Sequence, residues 1–166
     1  MQRTGSMDYR TARLNMVDSQ VRTNAVTDRR IIEAMQILPR ERFVPRSLRP
    51  LAYMGEPLEV AEDRYLLDPR TLSKLIQAAE VEADELVLDV GCVTGYSTAV
   101  LAHLAETVVG LEADAALAEE ATRLLTDLGI DNTAVITGEL AAGAPAQGPF
   151  DVIFVNGGVE IVPEPL

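Results

Sequence analysis

VLDVGCVTGYSTAVLA, residues 87–102, is the stretch on which the fold turns. A short apolar run reaches Asp89, glycines at 91 and 95 bracket a turn, and a helical pattern follows at once. A strand that feeds a helix through a glycine turn is the first part of a βαβ unit, and ligands of doubly wound sheets bind beyond the carboxyl ends of the strands. The turn therefore lies where a ligand would sit. Gly91 lets the chain reverse sharply, and Gly95 lets backbone come close to a ligand or a neighbouring helix. The following helix points its first N–H groups toward the same place. The plainer alternative is a tight strand-to-helix turn without a ligand.

Downstream, strand and helix alternate. Residues 85–90 (ELVLDV) are a strand and 94–105 a helix; 107–112 (TVVGLE) are a strand and 114–128 a helix that Asp114 can cap and Gly129 ends. TAVIT, 133–137, and FDVIFV, 150–155, are two more strands. Apolar strands separated by helices imply parallel pairing with right-handed crossovers. The expected class is α/β, a Rossmann-like doubly wound and mostly parallel sheet over residues 61–166, incomplete at its C-terminal side. Residues 1–60 are expected to form a helical extension and connector.

Upstream, residues 7–23 read as a loosely amphipathic helix. Thr27 and Asp28 open a better one, with Ile31, Ile32, Met35 and Leu38 at helical spacing and Pro39 at its close. Four prolines between 39 and 60 predict an extended connector. Asp68 caps a further helix with Pro69 in its first turn, and Leu72, Leu75, Ile76 and Ala79 are its expected buried stripe.

The formal net charge of −12 repels phosphate backbones and argues against nucleic acid as a partner. The charge is uneven, because residues 1–50 are rich in arginine, from Arg3 and Arg10 to Arg46 and Arg49. These either dock on the acidic remainder or an acidic partner, or form solvated helix faces. Cys92 is the single cysteine, which excludes an internal disulfide and a cysteine-based zinc site and suits a reducing cytoplasmic setting. No metal site is expected. The opening residues lack the apolar run of a signal peptide, no stretch is long and apolar enough to predict a membrane span, and MQRTGS is either native or added sequence ahead of Met7.

Glu112 ends the second strand 21 residues after Gly91. A carboxylate there can accept two hydrogen bonds from the hydroxyls of an adenosine ribose. Glu139, at the end of the third strand, can flank the adenine. The nicotinamide fingerprint G-x-G-x-x-G fails, since Val93 and Tyr96 stand at its second and third glycines. Glycines at 91 and 95 suit S-adenosylmethionine better, because no pyrophosphate has to approach the loop. His103 is expected in a structural role, and Glu119–Glu120 on a solvated face. Cys92 reads as a small turn residue, and Tyr96 either stacks near the cofactor or packs in the core.

From about residue 16 onward the chain resembles the protein-L-isoaspartate O-methyltransferases, a family of class I S-adenosylmethionine-dependent methyltransferases. MVDSQVRTNAVTDRRIIEAMQILPRERFVP resembles its N-terminal helices and R-x-x-F-V-P element, and LAYMGEPLEV the segment that follows. LVLDVGCVTGYSTAVLA resembles its motif I, and VVGLE, ITGEL and FDVIFVNGG follow in family order. The resemblance implies methyl transfer to the α-carboxylate of isoaspartyl residues in damaged proteins. It implies that Asp89, Gly91, Cys92, Thr94, Gly95, Glu112 and Glu139 bind the cofactor, and that Tyr53 and Tyr65 rim the substrate cleft.

Four positions depart from the family pattern. Val93 replaces the middle glycine of G-x-G-x-G; if that position needs an unusual backbone conformation, valine costs ~1–3 kcal/mol. The G-Q-T-I-S-x-P element reads DRYLLDP at 63–69, with Leu67 at the serine that helps hold the reacting carboxylate. Gly55 stands for an aspartate, and Gly138–Glu139 for glycine–aspartate. These departures define a second reading, an inactive methyltransferase-fold protein that acts through protein contacts. The family continues past its fourth strand, so the chain is expected to be a fragment of a longer protein. Its last strand is then an apolar edge that a second copy, a partner or the N-terminal arm covers.

Overall fold

Four apolar runs dictate the centre of the molecule. In the computed structural model, which describes residues 8–166, Leu86–Val90 (β3), Thr107–Glu112 (β4), Thr133–Thr137 (β5) and Val152–Val155 (β6) form one parallel sheet in the order β5-β4-β3-β6. Strands covered on both faces read as continuous apolar runs, and Val87, Leu88, Val108 and Leu111 are all buried. The α/β class and parallel topology expected above are those of the structure. A small antiparallel hairpin, β1 (Leu58–Ala61) and β2 (Arg64–Leu66), stands apart from the sheet.

The helix after the glycine turn, α4 (Tyr96–Ala102), is buried all round. A helix with no polar face must be sandwiched, and it lies between the sheet and the N-terminal layer. The helix α5 (Ala115–Asp127) is amphipathic, and its Asp114 cap accepts the N–H groups of Ala116 and Leu117 at 2.8 and 3.1 Å.

The N-terminal layer comprises α1 (Tyr9–Met16), α2 (Arg29–Ile37) and α3 (Pro69–Ala78). Beyond α1 the chain continues as a π-helical turn, Val17–Val21, and a 3₁₀ turn, Arg22–Asn24. Arg3, Met7 and the start of the helix expected at residue 7 lie outside the described residues. Asp28 and Asp68 cap α2 and α3 as expected, accepting the N–H groups of Arg30 and Thr71 at 2.9 Å each.

Two expectations are corrected. The connector from 39 to 60 is not simply extended: it holds 3₁₀ turns at Arg40–Phe43 and Arg46–Leu51 and then enters β1. Proline's fixed φ fits a 3₁₀ turn as well as an extended segment. Leu75 leaves the buried stripe of α3 and is 40% exposed, while Ser73 is buried with its hydroxyl on the Arg70 carbonyl.

One apolar cluster runs from Met16, Ile31 and Met35 through Phe43 to Val87, Tyr96 and Leu124, so the N-terminal layer and one face of the sheet share a core. On the other face Leu88, Val90, Val109 and Leu111 pack with Leu140, Phe150 and Leu166. At the outer strand Phe154 is buried and Ile153 is 38% exposed. Some N-terminal arginines pair with acids, Arg13 with Glu41 and Arg42 with Asp127 on α5. No helix among the described residues is long and apolar enough to cross a membrane.

Candidate functional site

The turn between β3 and α4 has a left-handed backbone at every second residue: φ is +77° at Gly91, +53° at Val93 and +91° at Gly95. The N–H groups of Gly91 and Cys92 both donate to the Leu111 carbonyl, at 2.8 and 3.2 Å, which fastens the turn to the end of β4. The N–H of Val93 donates to Glu112 Oε2 at 2.7 Å. A β-branched residue at positive φ is a genuine outlier and stores about 1–3 kcal/mol. Gly95 serves packing: a Cβ there would meet the Ala121 Cβ at 3.2 Å. Cys92 faces inward toward Gly110 and Thr98, and burial pushes its thiol far above the ordinary range, so it is no nucleophile.

Glu112 is fully buried at the end of β4. Its Oε1 accepts the N–H groups of Ala113 and Asp114 at 2.9 and 3.1 Å, and its Oε2 accepts Val93 N–H and Arg64 Nη2. A carboxylate offers about four lone-pair positions, and all of them are taken. Asp89 lies behind the turn, where its Oδ2 accepts the hydroxyls of Ser97 and Thr98 at 2.6 and 2.7 Å. Burial pushes its carboxyl up to about 6, against the two hydroxyls, with the charge of Glu112 adding to the rise. Asn156 donates to the Gly91 carbonyl and to Ser97 Oγ at 3.1 and 3.0 Å, and its Oδ1 is buried without a partner.

These groups border a cleft of about 650 Å³ beyond the carboxyl ends of the strands. Gly91 and Val93 line it from the turn, Asn156 from the end of β6, and Arg64, Tyr65 and Leu67 from the hairpin side. Of the residues the sequence singles out, Gly91, Val93, Tyr65 and Leu67 border this cleft. Asp89, Cys92, Thr94 and Gly95 are buried behind it, and Glu112 lies beneath the Val93 amide. Glu139 is exposed after β5 and is not among the cleft's lining residues. Tyr53 does not line the cleft either; its hydroxyl donates to Glu41 and accepts from Arg13 Nε at 2.9 Å. Tyr96 is buried, edge-on to Phe43 with ring centroids 5.3 Å apart, and His103 Nδ1 lies 2.8 Å from the Ala99 carbonyl.

Sequence reasoning missed Arg64 and Asn156. Asn156 directly follows an apolar strand, a position the strand-end rule could have flagged. Arg64 sits in a hairpin whose strands hold only four and three residues, too short for a periodicity signal.

The R-x-x-F-V-P element acts at a distance from the cleft. Arg40, fully buried, donates through Nε to the Ala52 carbonyl and through Nη2 to the Leu67 carbonyl, each at 2.7 Å, with its guanidinium 4.9 Å from the Tyr96 ring centroid. The Phe43 carbonyl accepts Thr94 Oγ1 at 2.6 Å. One short segment thus holds both the hairpin side of the cleft and the glycine turn.

Comparison with known proteins agrees with this architecture. The sequence profile of the protein-L-isoaspartate (D-aspartate) O-methyltransferases matches residues 12–166. A protein-L-isoaspartate O-methyltransferase 2 of Anaeromyxobacter sp. (strain Fw109-5) is 39% identical over 156 residues, 94% of this chain and 64% of its own length. A protein-L-isoaspartate O-methyltransferase of Syntrophus aciditrophicus (strain SB) is 37% identical over 95% of this chain and 72% of its own. A solved protein-L-isoaspartate O-methyltransferase superposes with a TM-score of 0.77 at 28% identity, covering 94% of this chain and 50% of that one. A Plasmodium falciparum structure of the same type, in complex with S-adenosyl-L-homocysteine, has a TM-score of 0.77 at 18% identity over 92% of this chain, 76% of its own, and shares the fold. The chain thus spans between half and about three quarters of the length of these proteins. With profile, sequence and fold in agreement over nearly all of its length, the chain belongs to the protein-L-isoaspartate O-methyltransferase family.

Proposed function

We propose that this chain is an S-adenosylmethionine-dependent methyltransferase whose acceptor is a carboxylate, in the family's case that of an isoaspartyl residue in a damaged protein. The observation that carries this reading is Glu112, a fully buried carboxylate held by three backbone N–H groups at the end of β4, under the glycine turn. Such a group recognises paired hydroxyls. Two further features fit the cofactor: a largely apolar cleft of suitable size, and the unpartnered Asn156 Oδ1 beside Gly91, which awaits a donor.

In this reading Gly91 and Glu112 contact the cofactor, Glu139 flanks its adenine, and Asp89, Cys92, Thr94 and Gly95 shape the turn that receives it. When bound, S-adenosylmethionine supplies an electrophilic methyl group. The chain's own work is to bring an acceptor oxygen into line and to keep water away, because a carboxylate is already nucleophilic and needs no general base. Tyr65 and Leu67 form the acceptor's wall, and Tyr53 braces that side from behind. The single buried cysteine suits a cytoplasmic setting, and a partner or second copy on the β6 edge suits its apolar residues.

The second reading, an inactive protein that acts through contacts, draws on Val93 and on Leu67, whose side chain has no hydroxyl to offer a carboxylate. Calorimetric titration of the full chain with S-adenosylhomocysteine, followed by methyl transfer to an isoaspartyl peptide, separates the two. Binding with transfer to the isoaspartyl peptide and not to its aspartyl isomer is the expected result. Binding without transfer favours the second reading, and no binding at millimolar ligand overturns the cofactor assignment.

A further inference from the structure

All four acceptor positions of Glu112 are filled, three by backbone N–H groups that the fold fixes and one by Arg64 Nη2. A ribose can reach this carboxylate only by displacing a donor, and Arg64 is the one donor carried on a side chain.

We propose that Arg64 gates the site: it occupies Glu112 until a ribose takes its place, and the released guanidinium then binds the carboxylate of the methyl acceptor. The proposal rests on the methyltransferase reading and deepens it.

Four observations support the second half. Among the described residues, Arg64 is the one cation that lines the cleft, where Asp63 is the other charged side chain. Its Nε is buried without a partner, so the guanidinium is under-used where it stands. A guanidinium presents five N–H donors in a planar fork that matches a carboxylate, which gives Arg64 the capacity that Leu67 lacks. The side chain also has freedom to leave. It is carried on β2 of a two-stranded hairpin outside the main sheet, next to a turn with Asp63 at φ +54°, and its side chain remains 24% exposed.

The charge of the whole chain sharpens the need. At a net charge of −12 the protein repels an anionic acceptor, and a cation released only after the cofactor arrives offsets that repulsion at the moment it matters. Binding then becomes coupled. The ribose releases the arginine, the arginine improves the acceptor's affinity, and by linkage the acceptor improves the cofactor's affinity by the same factor.

The test is calorimetry on the full chain with S-adenosylhomocysteine, alone and with saturating isoaspartyl peptide, for the natural protein, Arg64→Met and Arg64→Lys. In the natural protein the peptide should tighten S-adenosylhomocysteine by about fivefold or more, as expected for an ordinary coupling between two sites. Arg64→Met should bind S-adenosylhomocysteine alone about tenfold tighter, the worth of one half-buried charge-assisted hydrogen bond, and should show no coupling. Arg64→Lys should keep coupling of the same sign, and a melting point within a few degrees of the natural protein shows that each variant is folded. Unchanged S-adenosylhomocysteine affinity in Arg64→Met, or coupling that survives it, overturns the gate while leaving the cofactor assignment intact. Failure of every variant, including Arg64→Met, to bind S-adenosylhomocysteine overturns the cofactor assignment itself.

Discussion

Val93 sets two costs against each other. Its φ of +53° is strained for a β-branched residue, yet its side chain is 98% buried, with 2% exposed. Relieving the strain with glycine gains ~1–3 kcal/mol. The same change loses ~1.5–2 kcal/mol of apolar burial and about 0.5–1 kcal/mol through the freer unfolded chain. Val93→Gly should therefore fall between about 1 kcal/mol of gain and about 2 kcal/mol of loss, a melting temperature within about 8 °C of the natural value. Because Val93 borders the cleft, S-adenosylhomocysteine should bind the variant at least about fivefold tighter, a gain near 1 kcal/mol. Calorimetry with a thermal melt checks both halves. Asp89 gives a second residue-scale test. Its folded-state carboxyl is pushed up to about 6 from an ordinary 3.8, so the native state holds its proton more firmly than the unfolded chain. The stability this contributes is complete below the unfolded value and is lost as pH rises through 6. Asp89→Asn cannot titrate, so its stability relative to the natural protein should rise between pH 4 and pH 8 by about 2–3 kcal/mol. Urea melts at the two pH values measure it, and a difference independent of pH refutes the assignment.

At the scale of elements, the regular parts of the chain were legible because each signal was local and redundant. TVVGLE and TAVIT coincide with β4 and β5 at both ends, since apolar β-branched runs bounded by polar residues admit little else. The caps at Asp28, Asp68 and Asp114 were equally readable. The hairpin was not. Its strands are too short for periodicity, and its turn uses Asp63 at positive φ where the family pattern has glycine, which removes the usual marker. Leu75 was misplaced because neighbouring contacts, and not helical spacing, decide which side of α3 is covered. The candidate site divides the same way. Glu112 followed from the strand-end rule, whereas the fact that its lone pairs are already filled depends on a hairpin that only the folded chain brings near. Gly95 tests how the elements fit together. Its φ of +91° disfavours any side chain, and an added Cβ lies 3.2 Å from Ala121 on α5. Gly95→Ala should cost about 2–3 kcal/mol, which lowers the melting temperature of a chain this size by roughly 5–10 °C. A thermal melt monitored by far-UV circular dichroism reads the shift, and a drop under about 2 °C would show that neither the left-handed backbone nor the Ala121 contact opposes a side chain at this position.

Across the whole molecule, the N-terminal layer and the sheet share more than an interface. Their apolar cluster is continuous, and two sets of polar contacts cross it. Arg40 joins the Ala52 and Leu67 carbonyls above the Tyr96 ring, and Thr94 joins the glycine turn to Phe43. The charge of Arg40 is buried without a carboxylate, and burial disfavours its protonated form. The two carbonyl acceptors and the aromatic face that hold it come from different parts of the chain, so the arrangement exists only when both layers are docked. A molecule built in this way should unfold in one step, although its sequence divides near residue 60. Tyrosine fluorescence samples both parts, with Tyr9 and Tyr53 in one and Tyr65 and Tyr96 in the other, and far-UV circular dichroism follows the helices throughout. The two urea transitions should coincide. Thr94→Val keeps the side-chain shape and removes the hydroxyl, which leaves the Phe43 carbonyl buried and unpaired at a cost of about 1–3 kcal/mol. If the layers are one cooperative unit, the variant's curve moves to lower urea with its slope unchanged, because the surface exposed on unfolding is the same. If they are separate units that merely touch, the curve splits in two or its slope falls, and the docked arrangement of Arg40 no longer accounts for how the cleft is held.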